Sequence, residues 1–402
     1  MDTDINESDQ ELQNQRALLL LLEPVKKASK DLQTNYLVSL TNTDNSKTKT
    51  KTIIEALSNL EAEAGTLLST DPYLFNLSQL LCNLKTLLGK LEKYQGYSIL
   101  SHLCCQITNY KICQVACKIE AEIQAFLDRV SVQNLVRTLK ESVDDEDEKV
   151  KVLIEFKNRV SQGFDRDFQD LVLRAKVFSI LESILSDSMC SKRVREQAAL
   201  IVNGLVKFNK NVFVGLVFMG PTIGSLVSMG SCCSIQVLCS LIKFIRSPLV
   251  DEMESNGEIP RIINLLNSEE LSIRAAALDC ILELAYFGRK EVIEAMLGED
   301  LVEKLMELQR LEHGREMVEK GGVCVETESE TKIESKERDF VQNYPFDSCV
   351  ARFAVQVEVG EGLNKGEKRE VKLEILRRVR ETSVSGAESA SIEAEVLWGS
   401  SP

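Results

Sequence analysis

The sequence predicts an all-α chain, an N-terminal helical bundle followed by a short α-solenoid, on three observations. One segment pattern recurs between Ser191 and Gln309: Val194-Arg195-Glu196-Gln197-Ala198-Ala199, a looser Ile235-Gln236-Val237-Leu238-Cys239, and Ile273-Arg274-Ala275-Ala276-Ala277. The starts lie 41 and 38 residues apart, the period of a stacked helical repeat whose units bury their apolar faces only against one another. Aromatic residues make up 5% of the chain and Pro only 7 positions, while Leu, Glu, Lys and Ala dominate. Straight side chains lose little rotamer freedom in a helix, so this balance favours helices. No stretch alternates at the strand period.

Residues 12–130 are expected to form the bundle. Residues 12–40 read as a helix broken near Pro24, and the polar run 41–52 as a loop. Ile53, Leu57, Leu60, Ala64 and Leu67 line one helical face. Asp71-Pro72 then has the form of an N-cap followed by Pro at the first helical position. The next helix carries Leu77, Leu81, Leu84, Leu88 and Leu91 to about Tyr94, and a long one follows from Ser98 to Val130. Four helices on short turns pack most simply antiparallel.

Residues 131–190 are expected to hold degenerate capping repeats, with Asp144 to Glu148 as a solvated acidic turn. The repeats proper occupy 191–311, where Pro221 and Pro260 open the segments expected on the inner side. Residues 312–338 read as a flexible insertion, and 339–402 as a helical tail docked on the solenoid through Val350, Phe353, Ala354 and Val357. Trp398, the only Trp, is expected to dock on the last repeat.

The formal net charge of −14 repels phosphate backbones, so nucleic acid is not an expected partner. The 12 Cys lack a disulfide-framework spacing, and Cys82, Cys239 and Cys280 sit at apolar helix positions. Reduced thiols there pack as small hydrophobes, which suits the cytoplasm and, secondarily, the nucleus. The acidic run Met1 to Glu11 is unlike a leader peptide.

With the repeats in view, the chain resembles a known family. The segments VREQAALIVNGL, GEIPRIINLLNSEELSIRAAALDCILELA and SCVARFAVQVEVGEG, with EILRRVR and EAEVLWGSSP in the tail, are similar to plant armadillo-repeat proteins related to plant U-box proteins. The resemblance covers residues 190–402, and more weakly 15–130. It implies an armadillo-type α-solenoid that binds proteins, with no family-wide enzyme activity. The Cys-Pro-Ile-type opening and internal Trp-Leu of a U-box are missing, so direct recruitment of a ubiquitin-conjugating enzyme lacks its surface. The Trp and Asn ladder of import receptors is missing too; the equivalent positions hold Ser225, Asn264 and Glu307.

Candidate sites divide by chemistry. Arg261, Asn264 and Glu307 are the expected partner contacts, placed by repeat register. His102, Cys105, Cys113 and Cys117 share one helix face, but one straight helix cannot wrap four ligands around a metal. They read as packed core residues, and no metal or cofactor is expected. Val212 to Ile242 contains no Asp, Glu, Lys or Arg and is long enough to cross a bilayer. Gly220, Pro221, Gly224 and Gly230 interrupt it, which favours buried solenoid helices over membrane insertion. Lys365 to Arg380 reads as a solvated basic helix with an i,i+4 pair Glu374–Arg378. Ser and Thr in 41–52 and at 382–385 offer phosphate acceptors. With two His and no Gly-x-Ser-x-Gly, Walker A or His-Glu-x-x-His motif, no catalytic constellation presents itself.

The expected function is therefore a non-enzymatic scaffold or adaptor that holds other proteins along the solenoid surface. The alternatives are a membrane-associated protein using 212–242, or an accessory component of ubiquitin ligation without a U-box. The pattern does not set the oligomeric state.

Overall fold

The computed structural model describes residues 18, 20–33, 60, 74–93, 99–140, 145–320 and 345–398. Among them every regular element is helical. Contacts divide the chain into two compact units, one of residues 1–142 and 165–177, the other of 143–164 and 178–402.

The first unit contains α1 (20–33), α2 (Phe75–Lys93), α3 (Ile99–Lys140) and α5 (Arg166–Arg174). Leu22, Leu77, Leu84, Leu88, Ile119 and Ile123 form its core. These positions recur at helical spacing, so α1, α2 and α3 each turn one apolar stripe inward. Lys26–Gln124 (2.6 Å) and Gln33–Glu120 (2.7 Å) fix the register of α1 on α3 at the rim. Helix α3 passes the expected stop at Val130 and continues through Val132 and Leu135, both buried, to Lys140. Residues 165–177, expected among the capping repeats, belong to this unit instead, because α5 packs on α3. The helix expected over 53–69 and the loop 41–52 lie outside the described residues, apart from Leu60.

The second unit is a stack of three-helix repeats. It opens with α4 (Glu146–Val160), then α6 (Val177–Ser186) and α7 (Lys192–Phe208). Next come α8 (Lys210–Met219), α9 (Thr222–Met229) and α10 (Cys232–Ile245). The third repeat holds α11 (Ser247–Ser255), α12 (Ile259–Asn264) with a 3₁₀ turn at Leu265–Asn267, and α13 (Leu271–Phe287). The fourth holds α14 (Lys290–Gly298), α15 (Leu301–Lys320) and α16 (Cys349–Val359). Finally, α17 (Lys365–Thr382) and α18 (Gly386–Trp398) lie on the fourth repeat. The third helix of each repeat packs on its counterpart in the next, and α4 on α7, so α4, α7, α10, α13 and α16 form one ladder.

The helix starts correct the register of the middle repeat. The N-caps of α7, α10 and α13 are Ser191, Ser231 and Glu270, spaced 40 and 39 residues apart. Val194 therefore corresponds to Ser234 and Ile273, one residue from the register the sequence pattern suggested. Arg195 donates twice to the Leu185 carbonyl (Nε 3.2 Å, Nη2 2.9 Å), satisfying an orphan group at the end of α6. Its counterpart Ile235 is fully buried, and Arg274 lies 5.5 Å over the Phe346 ring. The middle repeat has exchanged a capping cation for core hydrophobe.

The acidic run is exposed, as expected, but it is helix rather than turn. Glu146, Asp147 and Glu148 form the first turn of α4, and Asp145 caps it by accepting from the Asp147 and Glu148 amides. Carboxylates are favoured there by the helix dipole. Asp145→Ala is expected to cost about 1 kcal/mol, read as a lower urea midpoint with unchanged slope.

Two further expectations fail. Residues 312–320 continue α15 rather than starting a loose insertion, with Glu312 buried and the His313 ring bonded to the Gln309 carbonyl. The remainder, 321–344, lies outside the described residues. Trp398 is 87% exposed, because α18 ends with Ile392 and Val396 turned inward and Trp398 turned out.

The uncharged span is three short helices. Among the described residues no single helix is long and apolar enough to cross a membrane; α8 and α9 pass together by composition but are bent by 72° at Gly220-Pro221. Phe213, Val217, Ile223, Leu226, Leu238 and Leu241 are buried in the repeat core.

Candidate functional site

Two surfaces of the second unit bring polar groups together: the open side of the ladder, and a cleft beside Arg261.

The ladder is bridged from one repeat to the next by side-chain pairs. Lys157 on α4 donates to Gln197 on α7 (3.2 Å), and Ser240 on α10 donates to Asn203 on α7 (3.1 Å). Lys243 on α10 pairs with Glu283 on α13 (3.2 Å), and Arg352 on α16 approaches Asp279 on α13 (3.8 Å). Asp279 is informative. Its side chain is 65% exposed, yet burial pushes its carboxyl above the usual range, against the pull of Arg352 and Lys243. The Cys232 and Cys233 thiols on the same helix row are also pushed up, first by burial and next by Glu196. The helices that begin near Pro221 and Pro260 are bridged from repeat to repeat as well, through Ser186–Ser225 (2.9 Å) and Ser228–Arg261 (2.7 Å).

The cleft has a volume of about 540 Å³ and is lined by residues of α6, α7, α8, α9, α11 and α12 and the turns beside them, including Ser186, Arg195, Gly220, Ser225, Glu258 and Arg261. Glu258 is largely buried and accepts from Arg261 Nη1 (2.7 Å), while Arg261 Nη2 donates to Ser228 (2.7 Å). Ser186 and Ser225 share a hydrogen bond of 2.9 Å. Behind this wall Thr222 Oγ1 donates to Glu182 Oε1 (2.6 Å). The carboxylate fits only because position 220 is Gly: a Cβ there would lie 1.8 Å from Glu182 Oε1.

Burial raises the Glu182 carboxyl above its ordinary value, and the Thr222 hydrogen bond only partly offsets it. A carboxyl whose folded pKa is raised stabilises the fold below its unfolded value near 4.5 and loses that contribution as pH rises through the folded value. Glu182→Gln is therefore expected to raise the melting temperature at pH 7 and to match the parent at pH 4. An equal gain at both pH values would contradict the assignment.

The three expected partner contacts are not brought together. Arg261 lines the cleft, while Asn264 is exposed at the end of α12 and accepts from Asn267 (3.2 Å). Glu307 is exposed on α15, beside Arg310. The polar pairs of the ladder, Asn203–Ser240 above all, were missed by sequence reasoning. Their signal was the unburied polar position late in each ladder helix, obscured by the one-residue slip.

The helical cysteines differ from the expected core residues. Cys117 and Cys82 are exposed, Cys105 and Cys113 half-buried, and the His102 side chain lies outside the described residues. Among the described residues no group of three or more His, Cys, Asp or Glu is placed to hold a metal.

The repeats and their ladder define an all-α solenoid of three-helix repeats about 40 residues long, in a chain that also carries a helical bundle. No family model and no curated protein matches the chain. Among solved structures it is similar to an engineered protein at 13% identity and TM-score 0.43, over 67% of this chain and 95% of that one. It is also similar to the designed armadillo repeat protein YIII(Dq)4CqI at 15% identity and TM-score 0.41, over 67% and 99%. A third is the designed armadillo repeat protein YIII(Dq.V1)4CPAF in complex with peptide (KR)4, at 17% identity and TM-score 0.40, over 67% and 98%.

Proposed function

We propose that this protein is a scaffold that holds an extended segment of a partner protein along the ladder of α7, α10, α13 and α16. The observation that carries the reading is the row of hydrogen-bonding and paired charged groups that repeats from helix to helix, Lys157–Gln197, Asn203–Ser240, Lys243–Glu283 and Asp279–Arg352. An extended peptide presents a backbone donor and acceptor at every residue. A rigid row of Asn, Ser, Gln and paired charges can satisfy them at low ordering cost. Burial pushes Cys239 to about 11 and Cys349 to about 12, so neither is a thiolate nucleophile near neutrality.

Selection of random peptides displayed on phage against the purified chain tests the reading. Enriched peptides should bind at least ~10-fold more weakly to Ser240→Arg and Asp279→Lys, a loss of about 1.4 kcal/mol, and equally well to Arg261→Ala. Peptides indifferent to both ladder substitutions would overturn it. Loss in Arg261→Ala alone would favour a second reading, carried by the cleft, in which the partner contact lies at Arg261.

A further inference from the structure

We propose that the outward face of α17 and α18 is a two-fold self-association surface whose occupant is a second copy of this chain. The inference is independent of the peptide reading.

Both helices lie on the fourth repeat, α17 against α15 and α16, and α18 against α16 and α17. Each buries one face there. Helix α17 turns in Val371, Ile375, Leu376 and Val379, and α18 turns in Ile392 and Val396. Arg310 clamps the pair, binding Glu388 through Nε (2.6 Å) and the Thr382 carbonyl through Nη2 (2.9 Å). At about 100° per residue, the opposite third of each helix forms one outward surface.

On α17 that surface carries Arg369, Glu370, Leu373, Arg377, Arg380 and Glu381, all exposed. Its charge order is self-complementary when reversed. In an antiparallel pair centred at the level of Ile375, Arg369 meets Glu381 of the second copy and Glu370 meets Arg380. Leu373 meets the aliphatic stem of Arg377. Glu370 and Arg380 also pair within the chain, with Lys290 (3.6 Å) and Glu393 (2.7 Å), so the contact joins these pairs into alternating networks. An isologous contact requires this reciprocity, since residue i touches j and j touches i. A parallel pair would instead set Arg369 on Arg369.

On α18 the outward surface is uncharged: Ala387, Ala390, Ser391, Ala394, Leu397 and Trp398. Small residues begin it and large ones end it. Reversal about the level of Ile392 lays Leu397 and Trp398 over Ala387 of the second copy, large on small. It sets Ala394 on Ala390, where two small residues let the helices approach closely. One axis serves both helices. Ile375 lies eight residues before Ser383 and Ile392 seven after Ser385, so the two centres stand level across the turn. The chemistry therefore offers charge pairing on one helix and apolar packing on the other, about a common two-fold.

Helices of 18 and 13 residues are ~27 and ~20 Å long. Side by side they offer roughly 500 Å² per copy, or about 1,000 Å² in a pair, the lower bound for a specific interface. The dimer should therefore be weak, with a dissociation constant on the order of micromolar to tens of micromolar.

Sedimentation velocity of the full chain, from ~1 to ~200 µM, tests this around the affinity that such an area supports. The weight-average coefficient should rise from monomer to dimer, and Ala394→Glu should hold it at monomer. Arg369→Glu and Glu381→Arg should each weaken association at least ~10-fold, or about 1.4 kcal/mol. Mixing the two single variants should restore it, because every carboxylate at the two positions in one copy then faces a guanidinium in the other. Far-UV circular dichroism checks that every variant keeps its helix content. Two outcomes overturn the proposal: a monomer at every concentration, as when another protein or residues 321–344 cover the face, or a mixture no better than the single variants.

Discussion

Phe353→Ala is expected to lower the unfolding free energy by about 3–5 kcal/mol. Phe353 is fully buried on α16, which packs against α13, α15, α17 and α18 at once. Removing the ring leaves a cavity that four helices would have to collapse together to fill, and their other contacts prevent that. The effect reaches beyond the site. In a stacked repeat the stability of each unit depends on its nearest neighbours. A hole at α16 weakens the joint that carries α17 and α18 more than it weakens α7 or α10. A urea titration followed by circular dichroism should show an earlier transition, resolved from the main one. A single transition shifted by less than about 1.5 kcal/mol, the cost of a volume-conserving swap, would show that this joint does not hold the tail helices. Phe353→Leu, with most of the volume kept, should fall near that lower figure.

Gly362→Ala should cost about 3 kcal/mol, at the upper end of what overpacking does. The segment Gly360–Gly362 lies backbone to backbone against Tyr286–Gly288, and the Glu361 amide donates to the Tyr286 carbonyl (2.7 Å). A Cβ at position 362 would sit 1.9 Å from the Gly288 carbonyl oxygen, and one at 360 would sit 2.5 Å from that of Tyr286. Neither obstacle is a side chain that could rotate away. The substitution must pry the start of α17 off the corner between α13 and α14. Gly298→Ala makes the contrast, since nothing lies within 4 Å of its would-be Cβ and its backbone is ordinary. It should be neutral or stabilising by up to about 1 kcal/mol. Thermal melts of the two variants side by side read the difference directly.

The helical class, the repeats and the tail's return to the core through Val350, Phe353, Ala354 and Val357 were legible, because periodic burial writes itself into apolar spacing. So was the Glu374–Arg378 pair, formed at 2.8 Å, since neighbours on one helix are set by sequence alone. The failures share a cause. Ile235 aligned by hydrophobicity to Val194 although its structural counterpart is Arg195, and composition cannot separate two adjacent apolar registers. Asp145 to Glu148 read as a turn because charge was counted without the helix dipole that welcomes it. Residues 165–177 went to the wrong unit because their packing partner α3 is distant in sequence. The ladder face was invisible for a similar reason. Asn203 and Ser240 meet only after two helices stack, and Asp279 meets Arg352 and Lys243, which oppose the effect of burial on its carboxyl, only when three repeats come together.

The apolar core of the middle repeat sets where the solenoid opens. Treated as a line of coupled units, the stack loses order most readily at its ends, where a unit has one neighbour, and least readily at α10, which has repeats on both sides. Ile235, Leu238, Leu241 and Ile242 place solid apolar packing at that midpoint, with no ion pair among them for water to reclaim. Hydrogen exchange should then read as distance along the chain. Amides of α10 should exchange slowest, those of α7 and α13 next, and those of α4 and α18 fastest. The middle repeat thereby becomes the clamp that keeps the ladder in register while its two ends breathe.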